Sequence, residues 1–309
     1  MKTSRRTFLR SGAMAVAGAL VLKDTLLAQS AVKKNPGGIV GLQLYSVRDD
    51  MKSDPLSTLK QLKAMGYMYV EHANYVDRKF YGFAPKEFRK ILDDIGLHMI
   101  SGHTSMGLEH WDDSKKDFTD KWKWTVEDAA ILNQKYVVSP WMDEKMRDTY
   151  DNLVKYLDVF NRCGELCNRN GMKFGYHNHD FEFSNQLNGQ KIFDIMMKNM
   201  DPHKVVMQLD MGNLYNGGAI ALDVVNKYPG RFELIHAKDE IKSTDPKSKE
   251  PYESCVLGEG IVGAQKVIDL TTRIGSTRVY IIEQESYQHR TPLESVKADL
   301  EAMKKWGYL

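Results

Sequence analysis

From residue 39 to the C-terminus, short β-branched and aromatic runs alternate with longer apolar stretches of helical spacing. The runs fall at Ile39–Ser46, Tyr67–Ala73, Leu97–His103, Tyr136–Ser139, Phe174–His177, Val205–Asp210, Phe232–His236 and Val279–Glu283. Helices are predicted between and after them at Pro55–Met65, Pro85–Ile95, Lys115–Asn133, Thr149–Asn170, Lys191–Asn199, Ala219–Lys227, Val262–Ile274 and Pro292–Lys305. Gly66, Gly96 and Gly171 stand as stop signals. So regular an alternation demands a parallel sheet, because each helix supplies the crossover that returns the chain to the same end. An open doubly wound sheet and a closed barrel both satisfy it. Eight units match the barrel, and no glycine-rich phosphate loop follows the first strand as a dinucleotide-binding sheet would require. The expected fold is α/β, a single-domain (β/α)8 TIM barrel over residues 39–309, with stretches 103–114 and 240–260 as lids over its mouth.

Composition narrows the function class. Of 309 residues, 42% are hydrophobic and 10% aromatic, which suffices for a core of this size. A net charge of +2 with both signs mixed offers no footprint for nucleic acid or an anionic membrane. Three cysteines make no disulfide framework. Cys163 and Cys167 lie four apart on a predicted helix, a poor disulfide geometry, and read as buried free thiols; Cys255 falls in a loop. Ahead of the barrel, Ser4-Arg5-Arg6-Thr7-Phe8-Leu9 precedes a mildly apolar stretch from Gly12 to Leu22 and a small-residue site at Ala28-Gln29-Ser30. This resembles a twin-arginine (Tat) export signal. Residues 1–30 would then be removed, 31–38 would form a linker, and the mature protein would be periplasmic or otherwise exported. The apolar run is too short, and too rich in Ala and Gly, for a stable membrane span.

The last four strands each end in a residue type that binds metals: His177, Asp210, His236 and Glu283, spaced 33, 26 and 47 residues apart. Mixed imidazole and carboxylate ligands suit one divalent transition ion such as Mn, Co, Fe or Zn. Asp210 and Glu283 follow apolar runs, and a buried carboxylate without a partner is costly. Each therefore calls for a metal or a cation, the ordinary alternative being a cap on the next helix. Alternation places His236 and Lys238 on one face, where a lysine beside a metal can stabilise an oxyanion or move a proton. His177 and His179 likewise share a face; His179 is open between a second ligand, a general base and a loop residue. Glu182 is either an acid within reach of the mouth or a surface carboxylate. Among the earlier strand ends, Glu71 and His103 are candidates for supporting or acid–base roles. Tyr45 and Trp141 are candidate aromatic walls for sugar rings, and Tyr45, Glu71 and Trp141 are the expected substrate-binding residues.

The segments Tyr176-His177-Asn178-His179, Leu209-Asp210-Met211-Gly212-Asn213, His236-Ala237-Lys238-Asp239 and Ile282-Glu283-Gln284-Glu285 resemble motifs of the xylose-isomerase-like TIM-barrel superfamily. That superfamily covers sugar isomerases and epimerases, inosose dehydratases and apurinic endonucleases, and the likeness runs from about Val40 to the C-terminus. The resemblance implies that His177, Asp210, His236 and Glu283 hold one divalent metal. It implies an isomerase or epimerase that removes the proton α to the carbonyl of a sugar or keto-sugar, with Glu283, His179, Glu182, Lys238 and His103 as acid–base candidates. The export signal, and the lack of a phosphate cradle or Arg cluster in the loops, make an unphosphorylated substrate the expectation. Two departures qualify this. Ketose 3-epimerases of the superfamily carry Glu where this chain has His177, so a two-glutamate acid–base pair needs a substitute. The Tyr-His-x-His pattern is closer to inosose dehydratases and 3-keto-glycoside lyases, which eliminate a β-oxygen. Asn213 stands where the endonucleases place His, so a trinuclear zinc site for DNA repair is not expected. The remaining alternative is a non-catalytic sugar-binding barrel. The expected partner is a small carbohydrate, without nucleic acid or a membrane span, and homo-oligomerisation is left open.

Overall fold

The computed structural model describes residues 38–309 except 245 and 249. The expected signal peptide, and all of the expected linker but residue 38, lie outside the described residues. Eight parallel strands close on themselves: β1 (Ile39–Gln43), β2 (Tyr69–His72), β3 (His98–His103), β4 (Tyr136–Ser139), β5 (Lys173–His177), β6 (Val205–Asp210), β7 (Phe232–Ala237) and β8 (Val279–Ile282). β1 pairs with β2 through Gln43 opposite Glu71, and with β8 through Leu42 opposite Ile282, which closes the ring. The outer layer is α1 (Pro55–Met65), α2 (Pro85–Ile95), α3 (Asp120–Ile131), α4 (Tyr150–Arg169), α5 (Ile192–Asn199), α6 (Ala221–Lys227), α7 (Ala264–Ile274) and α8 (Pro292–Lys305). The expected (β/α)8 barrel is the fold.

The period-2 rule sorts each strand between two cores. Ile100, Tyr136, Val138, Val206, Leu234, Val279 and Ile281 plug the barrel interior, while a larger cluster fills the space between strands and helices. Continuing inward by twos, Val206 leads to Gln208 and Asp210, Leu234 to His236 and Lys238, and Ile281 to Glu283 and Glu285. The apolar plug thus ends where the polar layer begins, at the C-terminal mouth.

Several boundaries differ from expectation. The first strand stops at Gln43, whose side chain accepts from Tyr45 N and starts a short 3-10 turn over Leu44–Val47. The third helix begins at Asp120 rather than Lys115, because the Asp112 carboxylate accepts from Ser114 N and Lys115 N and folds 111–118 into a small antiparallel pair. An unforeseen hairpin, Tyr75–Val76 with Lys79–Phe80, follows β2. The expected lid at 240–260 contains a hairpin pairing Asp239–Lys242 with Tyr252–Cys255. All three cysteines are buried and free. No helix among the described residues is long and apolar enough to cross a membrane.

Buried carboxylates tie that segment, none of whose described residues lines the cleft at the barrel mouth, to the barrel. Asp239 accepts from the backbone N–H groups of Glu240, Gly258 and Val262. Asp299 of α8 accepts from Leu257 N at 2.8 Å, while its second oxygen has no partner among the described residues. Burial pushes the Asp299 carboxyl up to about 8, and nearby Glu259 and Asp239 add to the effect. A carboxylate whose folded pKa is raised binds its proton more tightly folded than unfolded, so stability falls as pH rises from the ordinary carboxylate range to about 8. Asp299→Asn should therefore become progressively more stable than the parent between pH 5 and 8, read by urea unfolding at both. An unchanged difference would mean that this carboxyl does not titrate in that window.

Candidate metal centre

The polar layer is organised around Glu71 of β2, which is fully buried. One of its oxygens accepts from Gln43 Nε2 at 2.8 Å and from His236 Nε2 at 2.7 Å, with His103 Nε2 at 3.1 Å. The other accepts from Gln208 Nε2 at 2.9 Å. Burial pushes this carboxyl up, but the His103 and His236 imidazoles beside it outweigh burial and hold it well below the usual range. Because Gln208 donates with its nitrogen, its oxygen must accept, and it lies 3.1 Å from His177 Nδ1 and 2.8 Å from His103 Nε2. One carboxylate thereby sets two tautomers: His236 carries a proton on Nε2 and His177 on Nδ1. Nδ1 of His236 and Nε2 of His177 are left facing the carboxylates.

Those two nitrogens converge with Asp210 and Glu283. One donor atom from each of the four lies within 4.8 Å of all the others, and all four residues are buried. Asp210 Oδ1 accepts from Asn213 N, so the helix-capping alternative is realised by this oxygen. Its Oδ2 is buried without a hydrogen-bond partner among the described residues, 3.6 Å from His236 Nδ1 and 3.9 Å from His177 Nε2. Glu283 Oε2 lies 3.1 Å from His236 Nδ1. Burial pulls the His236 pKa down, but Glu283, Glu71 and Asp210 outweigh it and hold it well above the ordinary range. The cluster demands positive charge, and a divalent ion would compete with a proton for Nδ1. An orphaned carboxylate oxygen and two tautomer-fixed imidazoles fit such an ion, held by His177, Asp210, His236 and Glu283.

Lys238 does not face the open mouth. It is buried behind the carboxylates, with Nζ 3.2 Å from both Asn213 Oδ1 and Glu285 Oε2, and 3.4 and 3.8 Å from Glu283 and Asp210. The close approach needs Gly212: a Cβ there would meet Glu240 Oε1 at 2.3 Å and the Lys238 stem at 2.9 Å. A cleft of about 720 Å³ opens over the cluster, lined at its floor by His103, His177, His179, Asn213, Glu283 and Glu285. His179 lies in it with a pKa drawn down to about 4 by burial, which keeps the imidazole neutral at neutral pH.

Three expected site residues are placed elsewhere. Glu71 lies beneath the histidines, since its carboxylate is consumed by buried donors, and does not line the cleft as a substrate contact. Glu182 is fully buried because the short helix Phe181–Ser184 turns it back to accept from Tyr176 Oη at 2.6 Å and His179 N at 2.8 Å. Burial pushes its carboxyl up to about 7. Trp141 packs edge-on against His179 and Phe181 rather than forming the cleft wall. Tyr45 does line the cleft, with the Arg48 guanidinium 4.8 Å from its ring centre. Sequence reasoning missed Gln208, although its place two residues before Asp210 on the same strand face was a readable signal. It also missed Glu285, Arg78 and Trp124, all in the cleft lining.

The sequence pattern described as xylose isomerase-like TIM barrel matches residues 59–306, and the chain belongs to that family. An inosose dehydratase from Geobacillus thermodenitrificans is 27% identical over 157 residues, 48% of this chain and 52% of that protein. The chain thus spans about half the length of the first curated relative it matches. A sugar phosphate isomerase/epimerase from Parabacteroides distasonis superposes with a TM-score of 0.73 at 26% identity, over 87% of this chain and 94% of the other. The IOLI protein, crystallised with a zinc atom, superposes with a TM-score of 0.67 over 87% and 98% of the two chains; at 13% identity this is a likeness of fold.

If Glu71 fixes the ligand tautomers, Glu71→Gln should weaken affinity for a divalent ion by about 10–100-fold while leaving all four ligands in place. Competition against a chromophoric chelator measures this, with circular dichroism as the control for folding. Parent-like affinity in a folded variant would remove Glu71 from the design of the centre.

Proposed function

We propose that this protein is a divalent-metal-dependent lyase. It would remove the proton α to the carbonyl of an unphosphorylated keto-sugar or keto-cyclitol and expel the oxygen substituent β to it. One observation carries this reading: among the described cleft-lining residues that belong to or lie near the metal-ligand cluster, the carboxylates are Glu283 and Glu285 after β8, faced by His103 and His179, while the other lining carboxylates, Asp77 and Glu109, stand on the loops after β2 and β3. A two-carboxylate epimerisation needs acids on both faces of the substrate, and Glu182, the carboxylate among the candidate substitutes Glu182, His179 and Lys238, is turned into the core. An imidazole facing a carboxylate suits elimination, in which one group takes a proton from carbon and the other gives one to oxygen. The similarity to an inosose dehydratase supports the same chemistry.

The bound ion would supply Lewis-acid polarisation of the substrate carbonyl. The β8 carboxylates accept the α-proton, the C–H electron pair becomes a C=C bond, and the β-carbon–oxygen bond breaks. With its Nε2 held by Glu71 and Gln208, His103 would give the departing oxygen a proton carried on Nδ1. Lys238, fixed among Asp210, Glu283 and Glu285, balances their negative charge and holds the base wall in place. Neutral His179 offers the substrate hydroxyls a hydrogen-bond partner.

Incubation with an inosose in D2O, followed by NMR, should show loss of the α-proton signal and growth of an unsaturated product. Both should vanish with a chelator and return with one of Mn, Co, Fe or Zn. An epimer without unsaturated product would favour the isomerase reading, which the Parabacteroides distasonis likeness supports. A metal-loaded protein that exchanges no proton with any keto-sugar or inosose would be a sugar-binding barrel.

We also propose export by the twin-arginine route, supported by Ser4-Arg5-Arg6-Thr7-Phe8-Leu9 and Ala28-Gln29-Ser30. Cell fractionation should recover a mature form beginning near Ala31 in the periplasm, and Arg5→Lys with Arg6→Lys should trap the precursor inside. An uncleaved chain confined to the cytoplasm would overturn the assignment.

A further inference from the structure

We infer that the cleft is built for two rings, with a second subsite formed by Tyr75, Arg78 and Trp124. This rests on the lyase reading and names its substrate class: a glycoside whose keto-bearing ring sits over the metal ligands and whose second ring occupies this platform. Size is the first observation. The cleft measures about 720 Å³, in the upper part of the roughly 300–1,000 Å³ that holds drug-sized ligands. A single pyranose has only about a dozen heavy atoms, so one ring over the ligands leaves much of that volume unfilled.

The outer lobe has its own construction. Tyr75 and Arg78 belong to the hairpin after β2, and Trp124 to the first turns of α3, so the chain brings them together only through the barrel. Asp77 and Arg78 form the turn in left-handed conformation, with φ of 49° and 58°. The Arg78 guanidinium forks both oxygens of the buried Asp128 carboxylate at 2.9 and 2.7 Å. Tyr75 Oη donates to the same carboxylate at 2.7 Å, and the guanidinium lies 5.2 Å from the centre of the Trp124 ring. Asp128 therefore locks an arginine and a tyrosine to the helix that bears the tryptophan. Trp124 nevertheless stays 40% exposed on the cleft rim, next to Lys121. A single exposed tryptophan is ordinary. A tryptophan backed by a clamped guanidinium and opening into the same cleft as the metal ligands is a pre-formed stacking surface for the apolar face of a ring.

Its place in the fold says which end of the substrate it holds. The hairpin follows β2 and α3 follows β3, the strand that ends in His103, whereas Glu283 and Glu285 end β8. The second ring lies on the His103 side, where the reaction requires a proton donor to the leaving oxygen. In a glycoside with its ketone two carbons from the glycosidic carbon, the proton leaves the intervening carbon and a C=C bond forms. The glycosidic carbon–oxygen bond then breaks, and His103 protonates the oxygen of the second ring, which departs as an alcohol. Atoms and charge balance without a further reactant.

The test compares a 3-keto-disaccharide with the matching 3-keto methyl glycoside, which has the same reacting ring and no second one. In Trp124→Ala, the Kd and KM for the disaccharide should rise about tenfold, with kcat and all constants for the methyl glycoside unchanged. Trp124→Phe should restore most of the loss. Binding is read by calorimetry on the metal-loaded protein and turnover by NMR, so the two readings separate. Trp124-dependent disaccharide binding without elimination would overturn the lyase reading and leave the subsite standing. Equal effects on both ligands, or none on either, would overturn the subsite.

Discussion

The centre depends on one buried negative charge. Glu71 carries its carboxylate into the barrel with no exposure to solvent, a position that is costly unless every oxygen is satisfied. The repayment comes from β1, β3, β6 and β7, whose Gln43, His103, Gln208 and His236 all direct a nitrogen at it. Because those strands are distant in sequence and adjacent or facing in the closed ring, the hydrogen bonds form only once the barrel has closed. The same bonds decide which nitrogen of each ligand histidine is free. The fold and the geometry of the candidate metal cluster are thus coupled through one group that touches neither solvent nor the cleft.

That coupling explains the distribution of charge. Asp210, Glu283 and Glu285 crowd one side, and Lys238 is drawn to within 3.8 Å of all three. A lysine so placed cannot reach across the cleft, and its value is electrostatic: it lets three carboxylates share a small volume. His236 answers the same demand, its basicity raised by the flanking carboxylates. His177 and His179, set farther from that wall, have theirs lowered by burial. Imidazoles of unlike basicity therefore stand within one site.

What was readable in the sequence follows from range. The four residues of the candidate metal cluster were legible because each closes an apolar run, and alternation alone puts Asp210 on the face of Gln208 and Lys238 on the face of His236. The barrel was legible from the count of units. Glu71 was visible as a strand end, but its partner His236 lies 165 residues away, a pairing that no local pattern encodes. Glu182 was misplaced because the direction of its side chain depends on a four-residue helix too short to show a period. The hairpin carrying Arg78 escaped for the same reason, with two residues in each strand and a turn of two non-glycine residues at positive φ.

The distinction between isomerisation and elimination comes down to what faces the base wall. Both begin with the same proton transfer, and the metal ligands serve either. An epimerase must return a proton to carbon from the opposite face, which favours a second carboxylate matched in basicity to the first. Residue 177, where the resemblance places an epimerase glutamate, is a histidine tied through Gln208 to the Glu71 hub, and Glu182 is buried beneath Tyr176. Restoring a carboxylate at residue 177 would remove a tautomer-fixed ligand and add a charge to a cluster already holding three. In the proposed lyase, the hub that positions the histidines of the metal cluster would thus also set an imidazole, rather than a second carboxylate, opposite the β8 carboxylates.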